Sequence, residues 1–227
     1  MITRKDFSNQ AALCLAVTDA LEVLIRESSV SRRQFHLALT GGEVGGLIAR
    51  ELARRIDESP AKFSGLHVWW SDERFVPHDD YDRNARVFVE ALNDETSVHI
   101  HESTASDSNI DVERSARRYS ADMFAIEMDV TLLSVGTDGH VASLFPGLWH
   151  NEEVDAVVAI HNAPKSPPQR VSFSMSKINS SARVWLLASG IAKVPIVKRL
   201  VALEAAIPAT HAFGREETIL FTDLRSD

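Results

Sequence analysis

Leu132-Leu133-Ser134-Val135-Gly136-Thr137-Asp138-Gly139-His140-Val141-Ala142-Ser143-Leu144-Phe145-Pro146-Gly147 is the stretch whose reading decides the fold. Apolar and β-branched residues from Val130 to Val135 predict a strand buried on both faces. The strand then breaks into Gly-Thr-Asp-Gly-His, where glycines permit backbone geometry that other residues resist. A carboxylate and an imidazole thus follow a strand directly, in a turn bracketed by glycine. In open α/β sheets, ligands bind just outside the carboxyl ends of the strands, so a catalytic pair is useful here. In isolation the same turn also suits a capping Asp and an exposed His, and its surroundings must choose.

Outward from this stretch, strand and helix patterns alternate. Phe7 to Arg26 places Ala12, Leu15, Ala16, Leu21, Leu24 and Ile25 at helical spacing. Phe35 to Leu39 reads as a strand leading through Thr40-Gly41-Gly42 into a helix marked by Leu47, Ile48, Leu52, Ala53 and Ile56. A second strand, Leu66 to Trp70, ends at Ser71-Asp72-Glu73-Arg74. A loop rich in Asp and Pro and a helix through Ala91 follow it. Val98-His99-Ile100 reads as a short strand, 102–109 as a polar connection, and the stretch from about 110 to 128 as a helix. Beyond the central turn, strands are expected at Val154 to Ile160, Arg170 to Met175, Val184 to Ala188 and Thr218 to Thr222. A helix over about 194–205 accepts Pro195 in its first turn. The alternation implies an α/β fold: a doubly wound, mostly parallel sheet with helices on both faces, Rossmann-like in layout. No repeat or long linker divides the chain, so 1–227 is read as a single domain.

Composition narrows the class. Hydrophobic residues make up 44% of the chain and charged residues 25%, ordinary for a soluble protein with a full core. No apolar run approaches the roughly 20 residues that span a bilayer, and the first residues lack a signal-peptide pattern. Cys14 stands alone and falls in an apolar helical pattern, which makes it a core residue and points to the cytoplasm. The 24 basic against 32 acidic residues and the net charge of −8 argue against nucleic acid as the main partner. A small anionic substrate needs only a local basic pocket.

Several polar clusters share one position, the end of a strand. Gly41 and Gly42 lead from strand to helix, where exposed backbone N–H groups form an anion site. Arg74 offers a planar, always-charged fork for phosphate oxygens, with a neighbouring acid to hold it. Arg170 opens a strand after the stiff Pro167-Pro168-Gln169 approach, and Lys193 follows Gly190 just before a helix. Each cation alone suits a solvated charge; three beside strand or helix ends, on an acidic protein, favour an anion pocket. His140 is the candidate general base because imidazole titrates near neutrality. Asp138 either orients its ring or holds a substrate hydroxyl. No Gly-x-Ser-x-Gly elbow is present. His99 and His101 share a strand face, but without a His-Glu-x-x-His or Cys pair nearby a metal is disfavoured.

With these residues assembled, the chain resembles the 6-phosphogluconolactonases over nearly its whole length. Asp72-Glu73-Arg74-Phe75-Val76-Pro77 matches that family's Asp-Glu-Arg-x-Val-Pro signature, and Asn84 its downstream Asn. Gly136 to Gly147 is similar to its most specific motif. Pro167-Pro168-Gln169-Arg170 resembles its Pro-Pro-x-Arg segment, and Gly190 with Lys193 its Gly-x-x-Lys. The resemblance implies the fold shared with glucosamine-6-phosphate deaminases and ribose-5-phosphate isomerases. It also implies metal- and cofactor-free hydrolysis of 6-phospho-D-glucono-1,5-lactone to 6-phosphogluconate in the oxidative pentose phosphate pathway. His140 with Asp138 would then be catalytic, His140 activating water and protonating the departing ring oxygen. Gly41, Gly42, Asp72, Arg74, Asn84, Arg170 and Lys193 would bind substrate, holding the phosphate or steadying the site. The implied partner is a small phosphorylated sugar lactone, with no nucleic acid or membrane, and the implied state is a monomer or weak homodimer. The family's Ser-Gly-Gly-Ser-Thr-Pro loop reads Thr40-Gly41-Gly42-Glu43-Val44-Gly45 here, and Glu43 suits the helix dipole yet would repel a phosphate lying close by. The nearest rival is a glucosamine-6-phosphate deaminase, which typically carries Asp-Glu-Tyr where Arg74 stands and Phe-Asn-Glu-Pro at Ser143-Leu144-Phe145-Pro146; a non-catalytic sugar-phosphate-binding homologue is a second.

Overall fold

A computed structural model describes residues 2–31, 33–93, 98–149 and 155–224. Its strands are β1 (Ile2–Asp6), β2 (Phe35–Leu39), β3 (Leu66–Trp70), β4 (Asp72–Arg74), β5 (His99–Ile100), β6 (Val130–Ser134), β7 (Val157–Ile160), β8 (Arg170–Phe173), β9 (Arg183–Ala188) and β10 (Glu217–Thr222). The helices are α1 (Gln10–Val30), α2 (Gly42–Glu58), α3 (Asn84–Val89), α4 (Val112–Asp122), α5 (Met175–Asn179) and α6 (Val194–Val201). Seven strands form a parallel sheet in the order β1-β10-β9-β6-β2-β3-β5. The remaining three, β4-β8-β7, form a small antiparallel sheet.

Side-chain alternation along the central strands feeds two cores. Leu132, Trp70 and Leu187 point to the face covered by α1 and α2. Their neighbours Leu133, Trp69 and Leu186 point to the face covered by α4, α6 and the small sheet. Helix α1 buries Leu13, Val17, Leu21 and Ile25 at four-residue spacing, and Asn9 caps it by accepting the Ala12 N–H at 2.9 Å. Cys14 is buried in that helix, as its pattern predicts. Asp111 caps α4 in the same way, accepting the Arg114 N–H at 2.8 Å.

The expected doubly wound sheet is present, and the differences lie at its margins. Helix α1 starts at Gln10 rather than Phe7 because Asn9 supplies the cap, and α4 and α6 are shorter than their patterns. Strand β1 escapes the sequence pattern because it is a charged edge strand, and only its register against β10 makes it a strand. Met175 begins α5 instead of ending β8, because Ser174 caps there and accepts the Lys177 N–H at 3.2 Å. Residue 154, the expected start of β7, lies outside the described residues.

Strand β2 sits between β3 and β6, and the chain winds outward from this point in both directions. That reversal opens a crevice above the carboxyl ends of β2 and β6. Thr40 Oγ1 accepts the Ser134 N–H at 3.1 Å and Ser134 Oγ donates to the Gly41 carbonyl at 2.8 Å, tying the two strand ends together at the crevice floor.

Candidate active site

A cavity of about 280 Å³ fills this crevice. It is lined by every residue that the sequence analysis placed in the site except Asp138. Strand β2 delivers Gly41 and Gly42, β4 delivers Asp72 and Arg74, and the turn after β6 delivers His140. Asn84 opens α3, Arg170 opens β8, and Lys193 ends the short 3₁₀ turn Ile191–Lys193 before α6. Gly41 and His140, about a hundred positions apart, meet because β2 and β6 end side by side on one edge of the parallel sheet, and the small sheet brings Asp72, Arg74 and Arg170 to them.

Asp138 stands behind His140, and its Oδ1 hydrogen-bonds His140 Nδ1. An ionised carboxylate only accepts, so the ring proton belongs on Nδ1 and Nε2 is left as the acceptor a general base requires. The pair depends on Gly136, where a Cβ would overlap both the imidazole and the Asp138 carboxylate. Gly139 turns the chain at φ +88°, a region that L side chains rarely adopt. The His140 ring also packs on Phe145, with centroids 4.6 Å apart. Burial pushes the His140 pKa below the ordinary histidine value, and the Lys165 charge adds to this while Asp138 opposes it. Burial alone would raise the Asp138 pKa, but the hydrogen bond and charge of His140 bring it below the usual carboxylate value.

The Asp-Glu-Arg triplet divides its labour. Asp72 Oδ2 accepts the Ser143 hydroxyl at 2.7 Å, joining the β4 wall to the segment that follows β6. Asn84 Nδ2 donates to the Asp72 carbonyl at 2.8 Å. Glu73 is 2% exposed and accepts three backbone N–H groups, from Arg74 and Asn84 at 2.7 Å and from Ala85 at 2.9 Å. It therefore caps α3 and does not pair with the Arg74 guanidinium, which donates instead to the Asp82 carbonyl. That corrects the expectation of a neighbouring acid holding the arginine fork. The cause is local: β4 turns Glu73 inward under α3 while Arg74 faces the cavity.

Arg170 is buried, and its guanidinium is largely committed to the protein. Nε donates to the Pro167 carbonyl at 3.0 Å, and Nη2 to the carbonyls of Lys165 and Ser166 at 3.1 and 3.4 Å. Nη1 lies 3.9 Å from Asp72 Oδ2. Lys193 is half-buried, and burial lowers its pKa, with Lys165 adding to the effect and Glu43 and Asp223 opposing it. Glu43 itself is exposed and does not line the cavity. Its charge reaches the site through Lys193.

Reading the sequence missed Thr40, Ser134, Lys165 and Ser166, which also line the cavity. Lys165 stands in Pro164-Lys165-Ser166-Pro167-Pro168, where the prolines drew notice and the cation between them did not. His99 and His101, weighed as metal ligands, stack against His67 with centroids 4.4 and 5.1 Å apart. Among the described residues no group of three or more His, Cys, Asp or Glu is placed to hold a metal. No helix among them is long and apolar enough to cross a membrane.

Comparison with known proteins agrees with this architecture. A 6-phosphogluconolactonase from Mycobacterium leprae is 33% identical, covering 96% of this chain and 94% of its own. The crystal structure of a 6-phosphogluconolactonase from Thermotoga maritima superposes with a TM-score of 0.79 at 22% identity, covering 98% of each chain. A monomeric glucosamine-6-phosphate deaminase superposes with a TM-score of 0.81 at 19% identity, covering 97% of each chain, so the fold alone does not separate the two chemistries. Residues 8–220 match the family described as glucosamine-6-phosphate isomerases/6-phosphogluconolactonase, and the chain belongs to that family.

Proposed function

We propose that the protein hydrolyses 6-phospho-D-glucono-1,5-lactone to 6-phospho-D-gluconate, the ring-opening step of the oxidative pentose phosphate pathway. One observation carries this reading: an Asp-oriented imidazole faces the same cavity as four cations on an otherwise acidic chain. That combination suits a substrate with a phosphate at one end and a carbonyl to be attacked at the other. Residues at the two discriminating positions favour hydrolysis over deamination. Arg74 supplies a cation to the cavity, and Ser143 braces Asp72.

In this mechanism His140 Nε2 takes a proton from water as its oxygen bonds to the lactone C1. The C1 carbonyl electron pair moves to oxygen, giving a tetrahedral oxyanion. Collapse re-forms the carbonyl and breaks the bond from C1 to the ring oxygen, which receives the proton from His140. The new carboxylic acid then ionises, so one water is consumed and one proton released. Asp138 holds the imidazole in the useful tautomer and stabilises the transient imidazolium. Arg74, Lys193 and the Gly41-Gly42 backbone hold the phosphate, with α2 adding its positive N-terminal end. Asp72 and Asn84 shape the wall that receives the sugar. We place the reaction in the cytoplasm, with one domain acting as a monomer or weak homodimer, a setting that a single buried cysteine suits.

The test is hydrolysis of freshly generated lactone, corrected for spontaneous opening, by wild type and His140→Ala in parallel. Fast turnover lost in the variant supports reaction and base together. Wild-type rates no faster than background would leave only a sugar-phosphate-binding homologue.

A further inference from the structure

A phosphorylated lactone presents two negative loci during hydrolysis, the permanent phosphate and the transient oxyanion at C1. Four cations line the cavity, Arg74, Lys165, Arg170 and Lys193, and their surroundings set them apart. The base marks the reacting carbon, because the attacking water must lie between His140 and C1. The cation that serves the oxyanion must therefore share the His140 end of the cavity.

Arg170 is poorly suited to that task. Its Nε and Nη2 are spent on the carbonyls of Pro167, Lys165 and Ser166, and its plane lies over Phe145 at 5.8 Å. A guanidinium committed in this way cannot offer its fork to a ligand, but it can fix the loop it grips. That loop carries Lys165. Lys165 is exposed and lines the same cavity as His140, and its ammonium makes no hydrogen bond or ion pair with the described residues. An exposed lysine on a clamped backbone is a strongly hydrated point charge with unspent donors.

Resting on the lactonase reading, we propose that Lys165 is a catalytic residue that stabilises the C1 oxyanion, and that Arg170 is the positioning residue that presents it. The local field agrees. The Lys165 charge acts on His140, on Asp138 and on Lys193, in keeping with its place among the residues that line the cavity. The same charge adds to burial in lowering the His140 pKa, and so favours the neutral base form.

Lys165→Met keeps the length of the stem and removes the charge, and at an exposed position it leaves folding intact. Wild type and variant are assayed on 6-phosphogluconolactone and on unphosphorylated glucono-1,5-lactone. We expect kcat to fall about 100-fold on both lactones, the size of loss typical for one oxyanion donor. The KM for the phosphorylated lactone stays within about threefold, and Lys165→Arg recovers part of the rate. The acid limb of the kcat/KM profile moves to higher pH in Lys165→Met, because removing a cation raises the His140 pKa. Arg170→Met reproduces the kcat defect, and the double variant is no worse than Arg170→Met alone. An unchanged kcat on both lactones, a loss confined to KM for the phosphorylated one, or additive defects would overturn the assignment. Absence of wild-type turnover overturns the lactonase reading and this assignment together. Wild-type turnover with an undiminished Lys165→Met overturns this assignment alone.

Discussion

The carboxylate of Glu73 accepts the backbone N–H of Asn84 at 2.7 Å, so a fully buried acid next to Arg74 fixes the first turn of the helix forming the opposite wall of the cavity. Burial raises the Glu73 pKa, while the nearby Arg83 charge and three N–H groups favour its ionised form. The acid thus couples two cavity walls without reaching the cavity. Replacing it with Ala leaves three donors unsatisfied and removes a negative charge near Arg83, whose ion pair with Glu102 remains. Glu73→Ala is expected to cost about 3 kcal/mol in urea unfolding and to raise KM more than it lowers kcat. An unchanged unfolding midpoint would remove this coupling.

His140 Nδ1–H donates to the Asp138 carboxylate, and an amide in its place can donate as well as accept. Asp138→Asn is expected to lower kcat by about 10²-fold or more, with product binding by calorimetry nearly intact. The pH profile gives an independent check. The base works when neutral, so the acid limb follows the His140 pKa, which already lies below the ordinary histidine value. Asp138 raises that pKa, so its removal shifts the limb to still lower pH.

Gly136 leaves room for the Asp138–His140 pair. Gly136→Ala must displace the imidazole or the carboxylate. The expected result is loss of kcat by about 10²-fold with retained affinity for 6-phosphogluconate. Loss of affinity with normal kcat would count against the geometry.

Arg74 faces the cavity with its backbone pinned by Glu73. Arg74→Ala is expected to raise KM for the phosphorylated lactone roughly 10- to 100-fold, the scale of one or two charged hydrogen bonds. Glucono-1,5-lactone should lose far less. Equal losses on both would place Arg74 away from the phosphate.

Burial lowers the pKa of His36 and of His67 to about 4, helped by neighbouring histidines and, for His36, by Lys177 and Arg33. Both titrate at lower pH in the folded state than the usual 6.5, so the unfolded chain binds more protons between those values. Stability is therefore complete above about pH 6.5 and is lost as pH falls towards about 4. Chemical denaturation at stepped pH reads this slope, and His67→Gln should flatten it.

Much of this protein was legible locally. Apolar runs at 35–39, 66–70 and 130–134 are strands because a sheet covered on both faces needs no alternation. The Gly-Thr-Asp-Gly-His turn announced the site because such turns fall at strand ends. What the pattern could not carry was partnership at a distance. β1 is a strand only by its register with β10, more than two hundred residues away. That Arg170 braces the 165–167 loop shows only once the fold brings the Lys165 and Pro167 carbonyls around its guanidinium. Glu73 reads as the mate of its neighbour until α3 lays its first N–H groups on the carboxylate. Sequence alone determined most strands of the sheet, the acidic character and the candidate imidazole, because periodicity and residue type are local. Only the tertiary structure decided which cavity cation is spent on bracing a loop and which carboxylate is spent on capping a helix, because a hydrogen bond's partner depends on where the rest of the chain has gone.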